Sequence, residues 1–298
     1  APNPGGAACP STVYAVKRGM AAVGARVTIT GPVVTAVARN GFYMQVAPGD
    51  MGYMGADASG IFVYLGTAPT VRVGERVTVA NATVADFFGQ IQLTGGTVTA
   101  IAQGAMVPPP VTVTPAEIAT GGMRAAALEG VLVRVENVDV TNPNPAPEGG
   151  EAAPTNEFQV TGNLRVDDGL YLTAPYPVMG ERFASITGVL IFARSNSKLN
   201  PRSADDLVAG AASLLPFPTE TVFARVGGGA RPTFPAALSV RLARAVMSPT
   251  TVTLRSSDPG LTVADVVIPA GVASAVVPVT GVTAAATKAK PGSSAEAA

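Results

Sequence analysis

The feature that most constrains the fold of this chain is an internal repeat with a fixed spacing. The segment Val-Gly-Glu-Arg-Val at 73–77 recurs as Met-Gly-Glu-Arg-Phe at 179–183, and Gly-Ala-Arg-Val-Thr-Ile at 24–29 aligns with Gly-Val-Leu-Val-Arg-Val at 130–135. The members of each pair lie 106 residues apart. Because two separate segments agree on one spacing, we predict two copies of one domain, at residues 13–106 and 111–208.

Each copy is predicted to be a small β-barrel. In the first copy, short apolar runs at 26–30, 42–46, 61–65, 77–84 and 90–93 are separated by Gly-rich turns. The Asn40-Gly41 dipeptide stands between two apolar runs, which is typical of a β-hairpin. Five or six short strands in about ninety residues indicate a small barrel.

The segment between the copies combines a spacer with a helix start. Three prolines at 108–110 predict a stiff, extended spacer. The sequence Thr-Pro-Ala-Glu at 114–117 is a capping box with proline at the first helical position. It predicts a short helix over 116–128, which Gly121 and Gly122 could break in two. In the second copy, Pro, Gly, Asn and Glu at 142–154 predict a long exposed loop.

The last third of the chain has another pattern. Apolar residues alternate at 238–242, 251–255, 262–268 and 273–279, and Ser-Ser-Asp-Pro-Gly at 256–260 predicts a turn. Strands at this spacing predict a β-sandwich over 214–283. Residues 1–12 are expected to be a flexible N-terminal arm, and 284–298 a tail or an incomplete edge strand. An incomplete sandwich would have an open edge, either because the end is frayed or truncated, or because a partner supplies the missing strand.

The composition excludes most enzyme chemistry. The chain has no histidine, no tryptophan and one cysteine, so Ser-His-Asp triads, Cys-His dyads and His-containing metal sites are impossible. The 20 basic residues balance the 20 acidic ones, with net charges of +2 over 13–104, −5 over 108–208 and +3 over 209–298. This balance disfavours nucleic acid as a ligand without excluding it. We therefore predict a protein that is not an enzyme and has no cofactor.

The N-terminus and the single cysteine suggest where the protein acts. No apolar run is long enough for a transmembrane segment. The first residues, Ala-Pro-Asn-Pro, are typical of a mature N-terminus after removal of a signal peptide, so we expect an extracellular or cell-surface location. Cys9 follows two alanines, as in the site of bacterial lipid attachment; lipidation, an intermolecular disulfide and a free thiol all remain open for it.

Four motifs of the first copy carry a resemblance to a known family. Gly-Phe-Tyr-Met-Gln at 41–45, Gly-Ile-Phe-Val-Tyr at 60–64, Val-Gly-Glu-Arg-Val at 73–77 and Gln-Leu-Thr at 92–94 resemble the OB-fold modules found beside secreted endonuclease/exonuclease-type domains and in other bacterial surface proteins. The second copy looks like the companion module, through 128–133, 165–170 and 200–205. The final segment is similar to bacterial Ig-like surface repeats, through 256–260 and Ile-Pro-Ala-Gly at 268–271.

The resemblance implies an all-β protein with two tandem OB-fold-like barrels and a C-terminal Ig-like β-sandwich. It implies accessory modules rather than a catalytic domain, because the catalytic domain of the nuclease relatives is a separate piece that has no counterpart in this sequence.

Candidate contact residues are large side chains expected at the surface. Aromatic residues of a barrel can stack on a ligand, but neighbouring strand residues point to opposite faces, so only part of such a set is exposed. Methionine and tyrosine in the Gly-rich loop at 50–57 suggest contact with another protein. The predicted contact residues are Tyr43, Met51, Tyr53, Met54, Tyr64, Arg72 and Phe88.

A hard cation could in principle use Asp167 and Asp168 together with Asp205, Asp206 and Glu181. The Asp-Asp-Gly sequence is more simply a hairpin turn and Asp205-Asp206 a helix start, so no metal site is predicted.

These observations favour a secreted or cell-surface protein with a structural or adhesive role. We expect it to act through protein partners, as a homo-oligomer or polymer such as a filament or coat subunit. The alternative is a module of a secreted hydrolase that binds a polymer, either single-stranded nucleic acid or polysaccharide, through the first barrel.

Overall fold

The computed structural model describes residues 7–211, 214–215, 221–222, 238–246, 249–257, 261–281, 288–289 and 296–297. The contacts divide the chain into two units. The first comprises Ala1–Pro177 and Phe183–Ala209, and the second comprises Val178–Arg182 and Gly210–Ala298.

The first part of the chain is built mostly from strands, with three helices of only one turn or slightly more. In chain order the elements are β1 (Cys9–Pro10), α1 (Val13–Lys17), β2 (Arg26–Ala38), β3 (Gly41–Gln45), β4 (Gly60–Tyr64), β5 (Arg76–Phe87), β6 (Gln90–Thr94), β7 (Thr97–Ala102), β8 (Val111–Thr112), α2 (Pro115–Ile118), α3 (Ala125–Leu128), β9 (Leu132–Asn142), β10 (Phe158–Val160), β11 (Leu164–Val166), β12 (Arg182–Ala193), β13 (Asn196–Asn200) and β14 (Leu207–Ala209), with 3-10 turns at Thr161–Asn163 and Ala204–Asp206.

The strands form two closed five-stranded barrels. In the first barrel the order is β2-β3-β4-β6-β5, and β5 pairs back with β2. In the second barrel the order is β9-β10-β11-β13-β12, and β12 pairs back with β9. The strands β9, β12 and β13 begin 106 residues after β2, β5 and β6, so the sequence repeat is also a structural repeat. The all-β class and the two barrels are thus confirmed, and they are consistent with the OB-like topology.

Alternation of apolar residues places one face of each strand in a barrel core. In β2, Val27 and Ile29 are buried while their neighbours are less so. Helix α1 closes the first barrel with Val13 and Val16, and the Thr12 hydroxyl caps it by accepting the Ala15 N–H at 3.0 Å. Part of the arm expected over 1–12 is therefore structured, because β1 also pairs in parallel with β2.

The helix predicted over 116–128 is confirmed, including the break. Thr114 and Glu117 form the capping box at the start of α2, and α3 follows after Gly121 and Gly122.

In the first barrel, Gly95 and Gly96 have φ values of 65° and 86° and turn the chain from β6 into β7. A Cβ on Gly96 would lie 2.6 Å from the Ala80 carbonyl oxygen, so this turn requires glycine.

The two barrels pack directly against each other. Ala36, Tyr43 and Phe62, on the outer surface of the first barrel, form one apolar cluster with Leu132 and Val189 of the second. Hydrogen bonds cross the boundary as well: the Ala58 N–H donates to the Ala127 carbonyl at 2.6 Å, and the Leu132 N–H donates to Gln45 Oε1 at 3.1 Å.

The backbones of the two barrels approach each other closely at two glycines. A Cβ on Gly60 would lie 2.2 Å from the Gly130 carbonyl oxygen, and a Cβ on Gly130 would lie 2.7 Å from the Gly60 carbonyl carbon. Neither backbone can move aside as a flexible side chain would. Glycine at both positions therefore lets the barrels meet.

A buried ion pair also joins the barrels. Lys17 of α1 lies 2.5 Å from a carboxylate oxygen of Glu129, which follows α3, and their side chains are only 4% and 10% exposed. The backbone N–H of Ile91 also favours the charged form of this carboxylate. Burial raises the pKa of Glu129, and Lys17 opposes that rise in part.

We predict that Lys17→Met destabilises the protein by about 3–5 kcal/mol at pH 8, because it leaves Glu129 buried without its counter-ion. Since the pKa of Glu129 is raised in the folded state, the folded protein can take up a proton as the pH falls, so the loss is smaller at pH 5. Urea unfolding at the two pH values measures this. The double variant Lys17→Met/Glu129→Gln should recover most of the stability; an equally unstable double variant would contradict the account.

The second unit contains short antiparallel strands around its own apolar cluster. They are β15 (Thr221–Val222), β16 (Ser239–Arg241), β17 (Thr250–Thr253), β18 (Leu261–Val263), β19 (Val266–Ile268), β20 (Ser274–Val276), β21 (Val279–Gly281), β22 (Lys288–Ala289) and β23 (Glu296–Ala297). The pairings are β15 with β22, β16 with β20, β18 with β21, and β17 with both β19 and β23. Val240, Leu242, Val252 and Ile268 are buried members of the cluster.

Six of these strands, β16 to β21, overlap the four segments that the alternation predicted, whereas β15, β22 and β23 lie outside them. In the predicted turn at 256–260, residues 258–260 lie outside the described residues. In the expected tail, Glu296–Ala297 pairs with β17 at the edge of the three-stranded sheet.

Candidate functional site

The outer surface of β3 and β4 is covered by the second barrel. Tyr43 is 7% exposed, and its ring centroid lies 4.7 Å from that of Phe62. Burial raises the pKa of Tyr43, and the negative charges of Glu129 and Asp167 raise it further. The expectation that Tyr43 contacts a ligand is therefore corrected, because the second barrel occupies the space that a stacked ligand would need.

The outer surface of the second barrel carries buried charges. Leu164, Val166 and Leu199 face the core, so Arg165 and Lys198 between or beside them face outward. Their side chains are nevertheless only 5% and 1% exposed. The loop at 143–157, between β9 and β10, covers them.

Three glutamates of this loop pair with the two cations. Arg165 donates to Glu157 Oε2 and to Glu148 Oε1, each at 2.7 Å. Lys198 pairs with Glu157 and lies 3.3 Å from an oxygen of Glu151. Since Glu157 has no exposed side-chain surface, this set of charges fastens the loop to the barrel. We call these five residues the loop latch.

Two more polar side chains lie beside the loop latch. Asp167 lies 3.8 Å from Lys198, and burial raises its pKa to about 7. Glu157 and Asp168 raise this pKa as well, whereas Lys198 lowers it. The amide oxygen and nitrogen of Asn200 are buried and have no hydrogen-bond partner. A Cβ on Gly169 would lie 2.5 Å from that oxygen, so the loop after β11 packs closely on Asn200.

The ion pairs of the loop latch were not predicted from the sequence. A usable signal was present, since Arg165 and Lys198 are single charges within barrel strands, and the loop before β10 contains three glutamates. Their pairing depends on how this loop folds back, which alternation along the strands does not specify.

The acidic residues considered for a cation have other partners or places. Asp206 accepts two hydrogen bonds from the Arg202 guanidinium at 2.8 Å, and Glu181 belongs to the second unit. Across the residues that the structure describes, no group of three or more Cys, Asp or Glu side chains is placed to hold a metal ion.

The first barrel has an open cavity of about 270 Å³, next to the start of α1. Ser11, Thr12, Thr30 and Met51 are among the residues that line it. Beside them Arg76 holds the Asp50 carboxylate with two hydrogen bonds of 2.7 and 3.0 Å, and also donates to the Gly31 carbonyl at 2.7 Å. The hydrogen bond from Arg76 holds the pKa of Asp50 below its usual value.

An exposed aromatic pair lies at the turn between β5 and β6. Phe87 is 58% exposed and Phe88 is 83% exposed, with ring centroids 4.9 Å apart in an edge-to-face arrangement. The Gly89 N–H donates to Asp86 Oδ1 at 2.7 Å and closes the turn, in which Phe88 has a φ of 51°. We call Asp86 to Gln90 the aromatic tip.

The other predicted contact residues lie at separate places. In the loop at 50–57, Met51 is fully exposed, Tyr53 is partly buried and Met54 is half-exposed. Tyr14 anchors this loop by donating to the Gly55 carbonyl at 2.6 Å and accepting the Met54 N–H at 3.1 Å.

Tyr64 ends β4 and is partly exposed, while Arg72 is exposed in the turn before β5. Cys9 is free and exposed. Phe88, alone among the predicted residues, belongs to the aromatic tip, so the structure does not assemble the predicted set into one surface.

In the described parts of the chain no helix has the length and apolar character needed to cross a membrane. A comparison of the sequence with family models, with curated proteins and with solved structures finds no match. We therefore infer the function from the geometry of the described residues.

We predict that the Asp167→Asn variant is as stable as the wild type at low pH and more stable than the wild type at high pH. The wild-type carboxyl has a pKa of about 7 when folded, against an ordinary value of 3.8, so its favourable proton binding is complete below about pH 4 and is lost by about pH 7. Each unit of difference corresponds to about 1.4 kcal/mol. The variant should therefore match the wild type near pH 4 and exceed it by at least ~1 kcal/mol at pH 8 in urea unfolding.

The matched control is Asp205→Asn, which changes an exposed aspartate on the same barrel. It should follow the wild type at both pH values. If Asp167→Asn also follows the wild type at pH 8, the desolvation of Asp167 is not as described.

Proposed function

We propose that this is a non-enzymatic structural or adhesive protein, secreted or displayed on a cell surface, which associates with further copies of itself as a filament or coat subunit. The observation that carries the proposal is the aromatic tip. Two phenyl rings remain exposed there, while Tyr43 and Phe62 on the outer surface of the first barrel are covered by the second barrel.

The covered surfaces argue against binding of an extended polymer. OB-fold barrels bind oligonucleotides and oligosaccharides on the surface of the second and third strands, with the adjoining loops. In the first barrel these strands are β3 and β4, which carry Tyr43 and Phe62 against the second barrel. In the second barrel the loop latch covers the surface around β11 and β13.

The charges near the aromatic tip also disfavour nucleic acid. Base stacking on exposed rings usually accompanies basic residues that bind the phosphates. The tip contains Asp86 and has no lysine or arginine. Burial in a protein contact is the better use of these rings, since fully burying a phenylalanine side chain is worth roughly 1.5–3 kcal/mol.

The overall charge suits association between copies. The chain has no net charge, and its segments carry +2, −5 and +3, so copies do not repel each other and oppositely charged parts can meet. The C-terminal Ig-like sandwich remains part of the proposal. Antiparallel pairing and the buried cluster around Val252 and Ile268 support it, as does the resemblance of this segment to bacterial surface repeats.

We predict that Phe88→Asn weakens self-association at least tenfold without unfolding the protein. Asparagine removes the ring and tolerates the positive φ of this position better than phenylalanine. Size-exclusion chromatography with light scattering over a concentration series measures the association, and negative-stain electron microscopy shows whether the assemblies are regular.

The control is Met123→Asn, at a side chain 92% exposed in the turn between α2 and α3. It should associate as the wild type does. A wild type that stays monomeric at high concentration would contradict the proposed function. Normal association of the Phe88→Asn variant would show that the aromatic tip takes no part in the self-association.

The second candidate is a polymer-binding accessory module, and the cavity of the first barrel favours a polysaccharide as its ligand. Hydroxyl groups of Ser11, Thr12 and Thr30 line this cavity beside the Asp50–Arg76 pair. Hydroxyls and a charged pair suit the hydroxyl groups of a terminal sugar.

This candidate predicts saturable binding of a neutral oligosaccharide in isothermal titration calorimetry. Thr30→Trp should abolish the binding by filling the cavity, whereas Thr67→Trp, in an exposed loop, should not. No heat signal across a panel of neutral oligosaccharides would exclude the candidate.

A further inference from the structure

Strand β7 is an open edge of a sheet. It lies last in the strand order of its sheet and pairs with β5, and within the described residues no strand pairs with its other side. Thr97, Thr99, Ala100 and Ala102 are exposed, and Ile101 is 49% exposed. Because alternate residues of an edge strand direct their N–H and C=O groups outward, β7 presents a row of unpaired backbone groups.

The barrel geometry explains why this edge is free. Strand β6 closes the barrel by pairing with β4 on one side and β5 on the other. Strand β4 ends at Tyr64, whose carbonyl accepts the Gly95 N–H at 3.2 Å. After the turn at Gly95 and Gly96, β7 continues along the first half of β5, beyond the end of β4.

Strand β7 has few of the features that normally protect an edge. Soluble proteins place lysine, proline, bulges or inward-pointing charges on edge strands, or keep these strands very short. No charged residue occurs between Gly95 and Ala116, and the first proline after Gly95 is Pro108, which lies beyond the end of β7. Four successive pairs with β5, from Val77–Ala100 to Ala80–Thr97, are in regular register, and the register shifts only beyond them, where Arg76 pairs with Ala102. The corresponding edge of the second barrel, β14, has only three residues.

We propose that β7 is the site where a second copy of this chain adds, by antiparallel pairing of β7 with β7 across a two-fold axis. The inference rests on the proposed self-association and names one of its contacts. A register centred on Thr99 places Thr99 opposite its own copy and Val98 opposite Ala100, within the regular part of β7. No charges meet, and each pair contains a β-branched residue, which suits cross-strand packing.

The absence of charge on this edge favours a second copy of the neutral chain over an unrelated charged strand. The edge has no charged residue that could select a basic or acidic partner, and the neutral chain does not oppose its own approach. A six-residue strand buries less surface than a stable dimer usually needs. Pairing of β7 therefore gives a weak, concentration-dependent dimer by itself. Because a two-fold contact closes on itself as a dimer, growth into a filament needs a second self-contact, which the aromatic tip supplies.

The test introduces a charge at the centre of the pairing. Thr99→Lys places two like charges opposite each other in the dimer and should weaken association at least tenfold in analytical ultracentrifugation. The side chain of Thr99 is exposed, so the fold is retained, which circular dichroism and thermal unfolding check. Thr99→Glu should weaken association equally. An equimolar mixture of the two variants should recover it, because lysine then faces glutamate.

The control is Met123→Lys, which adds the same charge at an exposed position in the α2–α3 turn and should associate as the wild type does. Normal association of both Thr99 variants would overturn the β7 contact and leave the proposed function standing. Weak association of the separate variants with no recovery on mixing would also overturn it, because the effect would then not come from facing residues. A wild type that is monomeric at all concentrations would instead contradict the proposed function itself.

Discussion

The packing of the first barrel against the second determines which side chains the two barrels leave exposed and which they bury. Tyr43 and Phe62 would be exposed aromatic residues on an isolated barrel, and Leu132 and Val189 cover them. Removing this apolar surface from water favours the contact, at roughly 25 cal/mol for each Å² buried. The contact also places Glu129 beside Lys17, where neither charge reaches water freely. The two copies are therefore not independent domains joined only by a linker, although a run of three prolines lies between them.

The second barrel covers its own outer surface by different means. Arg165 and Lys198 could have bound an anionic ligand, but glutamates of the preceding loop neutralise both. Buried ion pairs of this kind add little net stability, because desolvation offsets most of the attraction. Their main effect is to fix where the loop lies. The unpaired amide of Asn200 and the raised pKa of Asp167 show that this arrangement carries an energetic cost.

Local rules predicted much of the fold. Period-two alternation located the barrel strands, the Asn40-Gly41 dipeptide located the β2–β3 turn, and Thr114 with Glu117 marked the start of α2. The spacing of 106 residues predicted the duplication because each copy must repeat the same strands to close its barrel.

Contacts between distant segments could not be predicted in the same way. Alternation shows that Tyr43 faces away from the core, but it does not show that another domain covers that face. The same limit applies to Lys198 and Glu157, which pair across 41 residues through the fold of a loop. The open edge of β7 depends on where β4 ends relative to β6, and strand boundaries are the least certain part of any reading of a sequence.

Covalent labelling of tyrosines in the intact, folded protein tests the central claim most directly. Iodination followed by peptide mass spectrometry compares Tyr43, which the second barrel covers, with Tyr64, which ends the neighbouring strand and is partly exposed. We expect rapid labelling of Tyr64 and strong protection of Tyr43 until the protein is unfolded with urea. Labelling of Tyr43 at the same rate as Tyr64 in the native protein would show that the barrels do not cover each other.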